Sequence, residues 1–282
     1  MKRREFVKST AALTTLSVLG AGSASFSNNV PKQPIGVQLY TVRDLMGKDA
    51  KGTIASVAKI GYTHVEGAGY NDRKFYGMTP KDFKSLLSDN GLKMPSSHVT
   101  SPFLKNSANE TFEDAAEAGC EYVVLAWLFP KERTSLDNYK QIIELVNTSA
   151  EIASKNGVKL GYHNHDFEFV ELENEIPYEL MMKEFSEEIP MELDLYWTTR
   201  AGQDAITLFS KYPGRFELWH VKDMDNTPDK AFTEVGNGVI DFKSIFKKEK
   251  IAGLKYFFVE QDVCKRPPLE SIEISYANVL KI

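Results

Sequence analysis

Short apolar runs rich in strand-forming residues alternate along the chain with longer amphipathic segments, beginning near Pro34. The longest of these segments, residues 136–156, carries an apolar stripe at helical spacing. Six glycines each follow a helix-like segment and immediately precede an apolar run, as expected of residues that end helices in a left-handed conformation. They are Gly61, Gly91, Gly119, Gly157, Gly214 and Gly253. The pattern therefore predicts a repeated unit of one strand and one helix.

Eight strands follow from this pattern when the opening run and a further run after Pro190 are included. They are residues 35–40, 62–66, 94–99, 121–126, 158–163, 191–195, 216–221 and 255–260. Eight strands alternating with helices are typical of the (β/α)8 barrel, whose usual length is about 250 residues. An open doubly wound sheet is the competing fold, but no Gly-x-Gly-x-x-Gly sequence follows the first strand. We therefore predict an α/β protein with a single (β/α)8 TIM barrel over residues 34–282.

The first residues, 1–27, differ from the rest of the chain and predict an export signal. A basic stretch with Arg3 and Arg4 precedes an apolar run too short to span a membrane, and small residues follow. The paired arginines resemble the bacterial twin-arginine signal. With residues 28–33 as a linker, we expect an exported, periplasmic protein that has no membrane association once the signal is removed. Cleavage near Ala24 would remove four Lys or Arg and one Glu, which changes the net charge from −5 to −8.

Charge and composition narrow the classes of partner. A net charge of −5 and a pI near 5.7 give no electrostatic footprint for nucleic acid. The two cysteines, Cys120 and Cys264, lack the spacing of a metal or redox motif. We therefore expect no nucleic-acid partner. A homo-oligomer is compatible with the sequence, which leaves the oligomeric state open.

Histidines and carboxylates concentrate where the predicted strands end. The residues that fall at these ends are Glu66, His98, His163, Asp194, His220 and Glu260. Because every strand of a barrel ends at the same face, these side chains should meet at one mouth. Residues 158–169 are the densest stretch, since their apolar run ends in two histidines, an Asp and a Glu. Mixed carboxylate and imidazole ligands suit Mn²⁺, Mg²⁺, Co²⁺, Fe²⁺ or Zn²⁺, so we expect one divalent metal ion of open identity.

Eight segments together resemble the sugar phosphate isomerase/epimerase superfamily of xylose-isomerase-like TIM barrels, which includes ketose 3-epimerases, inosose dehydratases and a branch of endonuclease IV type. The segments are VQLYTVRD, GYTHVEGAGY, SSHV, LGYHNHDFEF, ELDLYW, WHVKDMD, VGNGVIDF and FFVEQD. The resemblance implies one metal held by residues of the fifth to eighth strands, and Asp194, His220 and Glu260 match three of the family's ligands. Where epimerases carry a fourth ligand, a Glu, this sequence has His163, and the nearest acid is Glu168. Either His163 is the ligand or the loop brings Glu168 to the metal.

The resemblance also implies an enzyme that removes a proton next to the carbonyl of a small carbohydrate. The first expectation is a metal-dependent isomerase or epimerase acting on a ketose or related sugar through an enediolate. The alternative is a lyase or dehydratase acting on a keto-sugar or 3-keto-glycoside, because histidine can protonate a leaving oxygen near neutral pH. The expected catalytic residues are Glu168, Glu260, His165 and Lys222, and the expected substrate contacts are His98, Trp127, Trp197 and Glu66. An endonuclease would need a basic rim, and a non-catalytic sugar-binding protein would not need the metal ligands.

Overall fold

Eight parallel strands close into a barrel in the computed structural model, which describes residues 34–282. The strands are β1 (Ile35–Gln38), β2 (His64–Gly67), β3 (Lys93–Thr100), β4 (Tyr122–Trp127), β5 (Lys159–His163), β6 (Met191–Asp194), β7 (Leu218–Val221) and β8 (Tyr256–Val259). They follow one another around the barrel, and β1 pairs with both β2 and β8. Every predicted strand is present, which confirms the (β/α)8 fold. The predicted export signal and linker lie outside the described residues.

Twelve α-helices in this part of the chain surround the barrel. They are α1 (Arg43–Lys48), α2 (Ala50–Ile60), α3 (Pro80–Asp89), α4 (Ser101–Asn106), α5 (Ala108–Ala118), α6 (Leu136–Lys155), α7 (Pro177–Glu184), α8 (Leu195–Arg200), α9 (Ala205–Lys211), α10 (Phe242–Phe246), α11 (Glu249–Ala252) and α12 (Pro268–Val279). Short 3₁₀ turns lie at Leu39–Val42, Pro130–Glu132 and Phe167–Phe169. No helix in residues 34–282 is both long enough and apolar enough to cross a membrane. The predicted amphipathic segment 136–156 is α6.

Polar side chains end two of the strands earlier than predicted. β1 stops at Gln38, whose side-chain oxygen accepts a hydrogen bond from the Tyr40 N–H at 3.0 Å and so begins a 3₁₀ turn. β6 stops at Asp194, whose Oδ1 accepts a hydrogen bond from the Trp197 N–H at 2.9 Å and caps α8. The cap uses one carboxylate oxygen of Asp194. Its other oxygen, Oδ2, is left for the mouth of the barrel.

The barrel interior has an apolar half at the N-terminal ends of the strands and a polar half at their C-terminal ends. Side chains alternate along each strand, so every second residue points inward. In the lower half, Tyr122, Val124, Leu218 and Phe258 form a cluster separate from the large core between strands and helices. In the upper half, fully buried polar side chains take the inward positions. They are Gln38, Glu66, Ser96, Glu192 and His220. Branched apolar residues usually fill these positions in a TIM barrel. The upper half of this barrel therefore has less apolar packing than is usual for the fold.

Gly36 leaves the space that the ring of Phe258 occupies in the lower half. A Cβ at position 36 would lie 2.5 Å from Phe258 Cδ1 and 2.8 Å from the Phe257 carbonyl oxygen. Because the backbone oxygen belongs to a paired strand, we expect Gly36→Ala to lower the free energy of unfolding by about 1 to 3 kcal/mol in urea titrations. The matched control is Gly47→Ala on α1, where a Cβ meets nothing within 4 Å. That control should be neutral or stabilising by up to about 1 kcal/mol, and equal losses in both variants would contradict the packing argument.

Candidate active site

Three of the predicted metal ligands meet at the mouth of the barrel. Asp194, His220 and Glu260, from the ends of β6, β7 and β8, each offer a ligand atom, and these atoms lie within 4.8 Å of one another. The atoms that converge include Asp194 Oδ2, His220 Nδ1 and Glu260 Oε2. His220 Nδ1 is 2.5 Å from Glu260 Oε2 and 3.9 Å from Asp194 Oδ2. All three atoms are buried, and Lys222 Nζ lies within 2.9 Å of both carboxylate oxygens. Two buried carboxylates and an imidazole whose donor atoms converge in this way form a donor set that fits a bound cation.

His163 is the fourth side chain of this group. Its Nε2 lies 3.5 Å from Asp194 Oδ2, and its Nδ1 lies 3.1 Å from Glu192 Oε2. Burial lowers the pKa of His163 well below its ordinary value, and positive neighbours such as His220 lower it further. A neutral imidazole that donates its Nδ1 proton to Glu192 presents a lone pair at Nε2. His163 is thus suited to bind a metal beside Asp194. We call His163, Asp194, His220 and Glu260 the ligand set.

Glu168, the alternative fourth ligand, bonds to the face of β5 opposite to that of His163. Its side chain is fully buried, with Oε1 accepting a hydrogen bond from the Tyr162 hydroxyl at 2.7 Å and Oε2 from the His165 N–H at 2.8 Å. Burial raises the pKa of Glu168 to about 7 even though both of these hydrogen bonds favour the charged form. The structure therefore brings His163, and not Glu168, to the ligand set. We revise the expected catalytic contact of Glu168, because its carboxylate joins the backbone of the loop after β5 to Tyr162.

Glu66 lies under the ligand set and contacts its central histidine. Glu66 Oε2 is 2.6 Å from His220 Nε2, while Oε1 accepts a hydrogen bond from the Ser96 hydroxyl. Gln38 Nε2 donates a further hydrogen bond to Oε2 at 2.8 Å. Because the Glu66 carboxylate is fully buried and its oxygens are already engaged, we revise its expected contact with substrate. It fixes the orientation of His220 so that Nδ1 faces the mouth.

Glu192 is a site residue that the sequence analysis did not select. Its Oε2 lies 2.6 Å from His98 Nε2, 3.1 Å from His163 Nδ1 and 3.2 Å from His220 Nε2. These four side chains form a second group whose ligand atoms lie within 4.8 Å of one another. Hydrogen bonds from His98 and His163 already engage Glu192 Oε2, so we interpret this group as support for the ligand set. Strand alternation could have identified Glu192 from the sequence. Residues 192 and 194 lie on the same face of β6, so Glu192 points into the barrel as Asp194 does.

His98 is more buried than its expected contact with substrate requires. Its side chain is 13% exposed, and its ring stacks on that of His220 with centroids 5.0 Å apart. Burial lowers the pKa of His98, but the carboxylates of Glu66 and Glu192 outweigh this effect and raise it to about 9. The ring is therefore charged and bound to the carboxylates below. A substrate could reach only its exposed edge.

Lys222 joins three carboxylates at the mouth. Its Nζ lies 2.9 Å from Asp194 Oδ2, 2.7 Å from Glu260 Oε2 and 3.1 Å from Asp262 Oδ1. Burial lowers the pKa of Lys222, but these carboxylates raise it well above its ordinary value, so the amine is charged. Asp262 was also missed as a site residue, and its side chain is 21% exposed whereas that of Glu260 is 5% exposed. Lys222 therefore holds two carboxylates of the β8 end beside Asp194.

The predicted aromatic contacts form a wall on one side of the mouth. The His165 ring lies among those of Trp127, Phe167 and Trp197, at centroid distances of 4.7, 5.2 and 5.4 Å. We call these four residues the aromatic cradle. His165 Nδ1 and Trp197 Nε1 are buried and have no hydrogen-bond partner in the part of the chain that the structure describes. Apolar ring faces combined with unused polar groups suit a sugar, which offers both C–H faces and hydroxyls.

A single carboxylate fixes the loop on another side of the mouth. The Asp223 side chain accepts hydrogen bonds from the backbone N–H groups of Gly236 at 2.9 Å, Gly238 at 2.9 Å and Ile240 at 3.2 Å. Residues 223–240 are therefore tied to the end of β7 through backbone groups. Substitutions in this loop that keep the backbone would leave these bonds intact.

Known proteins share both the fold and parts of the sequence. Residues 54–262 match the model of the family described as xylose isomerase-like TIM barrel. The chain is 25% identical over 238 residues to the inosose dehydratase of Geobacillus thermodenitrificans, a match that covers 69% of this chain and 78% of that protein. It is 29% identical over 153 residues to the inosose dehydratase of Clostridium perfringens, covering 48% of this chain and only 51% of that protein.

A solved structure agrees with this assignment. The crystal structure of a sugar phosphate isomerase/epimerase from Parabacteroides distasonis superposes with a TM-score of 0.79 at 25% identity, covering 89% of this chain and 98% of that one. The closed barrel, the carboxylates and imidazoles at its mouth, and a sequence match over most of its length lead to one conclusion. The chain belongs to the xylose isomerase-like TIM barrel family.

Proposed function

We propose that this protein is a divalent-metal-dependent carbohydrate lyase that acts on a keto-sugar or 3-keto-glycoside by β-elimination. The observation that carries the proposal is the imidazole of His163 in the ligand set, with the unpartnered imidazole of His165 beside it at 4.9 Å. An imidazole facing the carboxylates of the β8 end is suited to protonate a leaving oxygen. The relatives named inosose dehydratase support a lyase. This order reverses the first expectation from the sequence.

The ligand set would hold one metal ion. Two carboxylates and two imidazoles with no thiolate accept Mn²⁺, Mg²⁺, Co²⁺, Fe²⁺ or Zn²⁺, so the donor set does not select one metal. When bound, such an ion polarises a substrate carbonyl as a Lewis acid. The convergence of Asp194, His220 and Glu260 at the mouth supports this assignment.

The chain's own groups supply the proton transfers. A carboxylate at the end of β8, Glu260 or the more exposed Asp262, takes the proton as the C–H bond next to the carbonyl breaks. The electron pair forms a carbon–carbon double bond, and the C–O bond to the neighbouring hydroxyl or glycoside breaks. His165 gives the leaving oxygen a proton that it first takes up from water as the substrate binds, because burial and the charge of Lys222 keep the pKa of the free imidazole well below its ordinary value. Lys222 keeps both carboxylates in place. Trp127 and Trp197 stack on the sugar.

An isomerase or epimerase is the second candidate, and the pair of acids at the β8 end favours it. Glu260 and Asp262 both lie within 3.1 Å of Lys222 Nζ, so one could take a proton and the other return it. The Parabacteroides distasonis neighbour supports this alternative. The two candidates share proton abstraction and differ in whether a group leaves.

Elimination and isomerisation can be separated in deuterated water. With metal-loaded protein and a 3-keto-glycoside, we expect release of the leaving group, and His165→Gln should slow this release by about 10² to 10⁴-fold while C–H exchange persists. The matched control is His64→Gln, since His64 begins β2 at the opposite end of the barrel. Exchange into an intact sugar, with a new isomer and no release from either a ketose or a 3-keto-glycoside, would establish the second candidate instead.

Metal binding tests the ligand set independently of turnover. Asp194→Asn and His220→Asn should each weaken Mn²⁺ or Zn²⁺ binding by about 100-fold or more in calorimetric titrations, because each removes a direct ligand. Glu192→Gln should weaken it by about 10 to 100-fold, since Glu192 is not a ligand but orients His163 and His220. Glu217→Gln serves as control, because Glu217 binds Tyr122 and Lys159 at the other end of the barrel. Retention of one ion per chain by the Asp194 and His220 double variant would rule out this set.

Glu168 should make stability depend on pH. Because burial raises its pKa from 4.5 to about 7, the folded protein binds this proton more tightly than the unfolded chain does. Stability should therefore fall as the pH rises from about 4.5 to about 7, by about 3 kcal/mol from this group. Glu168→Gln should flatten this slope in urea titrations at several pH values, whereas Glu217→Gln should leave it. An unchanged slope in the Glu168 variant would show that the buried carboxylate does not hold the proton.

A further inference from the structure

Arg133 has a stacked but otherwise unpaired guanidinium group. Its Cζ lies 3.6 Å from the centroid of the Phe167 ring and 4.8 Å from that of Trp127. Within residues 34–282, no carboxylate lies within 4.0 Å of its nitrogens and its side chain donates no hydrogen bond. Every other arginine in this range pairs with a carboxylate or a carbonyl. They are Arg43, Arg73, Arg200, Arg215 and Arg266. The N–H donors of Arg133 are therefore free for a ligand.

The acid next to Arg133 in the sequence does not neutralise it. Glu132 is buried, and its Oε1 lies 2.6 Å from both the Ser101 hydroxyl and Lys105 Nζ. Its Oε2 accepts a hydrogen bond from the Phe129 N–H at 3.0 Å. Both oxygens are thus used by α4 and the backbone of Phe129. No carboxylate of the described residues pairs directly with Arg133, although its charge lies near enough to offset part of the rise that burial causes in the pKa of Glu168.

Arg133 lies at the outer end of the aromatic cradle. From the ligand set outward, the ring of His163 is followed by that of His165 at 4.9 Å and then by that of Phe167 at 5.2 Å, on which Arg133 stacks. Arg133 makes no contact with the carboxylates of the ligand set. A sugar whose carbonyl is held at the ligand set would therefore meet Arg133 with a different part of its structure.

A guanidinium whose face rests on an aromatic ring keeps its N–H edge open. That edge is a planar fork, which matches the two oxygens of a carboxylate or phosphate in a bidentate pair. Stacking also limits the freedom that the side chain must lose on binding. Trp197 Nε1 adds another unpartnered donor in the same cradle. The cradle is therefore suited to a ligand rich in acceptors.

We infer that Arg133 recognises an oxyanion on the outward part of the substrate, a carboxylate such as that of a uronic acid or a phosphate ester. This inference rests on the proposed function only in taking a sugar as the occupant of the mouth. It assigns Arg133 as a specificity-determining residue, and it makes acidic sugars or acidic glycosides the preferred substrates. The proton transfers at the ligand set do not depend on it.

The inference can be tested by measuring the equilibrium affinity of the full protein for glucose, glucuronate and glucose 6-phosphate, with and without Mn²⁺. We expect at least one anion to bind about tenfold or more tightly than glucose, and this preference should weaken with added salt. Arg133→Gln should abolish the preference, and Arg133→Lys should keep only part of it, because lysine lacks the planar fork. The matched control is Arg43→Gln, since Arg43 also stacks on an aromatic ring, that of Tyr40 at 4.2 Å, but outside the cradle.

The pattern of binding decides between the sources of the oxyanion and tests the inference itself. A preference for glucuronate identifies a carboxylate, and one for glucose 6-phosphate identifies a phosphate. Equal binding of all three probes would overturn the inference, as would a preference that survives Arg133→Gln. If Arg133→Gln weakened the binding of all three probes equally, Arg133 would have only a structural role and the inference would be wrong. The binding measurement needs no turnover, so it is independent of the proposed activity. If anions bind through Arg133 but no leaving group is released from any substrate, the lyase proposal is wrong and the inference on Arg133 still holds.

Discussion

One buried imidazole, that of His220, connects four carboxylates inside the barrel. Its Nε2 lies 2.6 Å from Glu66 and 3.2 Å from Glu192, while its Nδ1 lies 2.5 Å from Glu260 and 3.9 Å from Asp194. Burial lowers the pKa of this histidine, but the surrounding carboxylates outweigh it and hold the pKa well above its ordinary value. Charges removed from water are tolerated only when they are paired, so each of these groups depends on the others. The apolar cluster below must then supply the packing that the upper half lacks.

The charges at the mouth do not balance without a further cation. Among the described residues, three cations lie in this region, the ammonium of Lys222 and the charged rings of His98 and His220. They contact five carboxylates, those of Glu66, Glu192, Asp194, Glu260 and Asp262. Carboxylates that crowd together in a buried place repel one another unless a proton or a cation intervenes. The ligand set is therefore electrostatically prepared for a divalent ion. A divalent ion bound there would also join the ends of β6, β7 and β8 at one point.

The sequence was most informative where a pattern repeats. Glycines past helix ends and apolar runs of similar length define the eight strands, and barrel geometry then brings their C-terminal ends together. The role of Glu192 is harder to predict from sequence. A carboxylate inside a strand can point into the barrel or away from it, and the structure is needed to tell which. Glu168 depends on how the loop after β5 turns back beneath His165. The stacking of Arg133 on Phe167 joins residues far apart in the chain, and no local spacing encodes it.

The anchoring of the loop after β7 by Asp223 has a consequence for how this scaffold could diversify. Backbone N–H groups hold that wall, so its shape is insensitive to most side-chain exchanges. The wall formed by Trp127, Arg133 and Phe167 is held by ring faces and a cation, which other side chains can replace. A mutant library aimed at new selectivity would therefore randomise the second wall and leave the first untouched. The barrel thus separates a rigid framework for chemistry from a replaceable surface that selects the substrate.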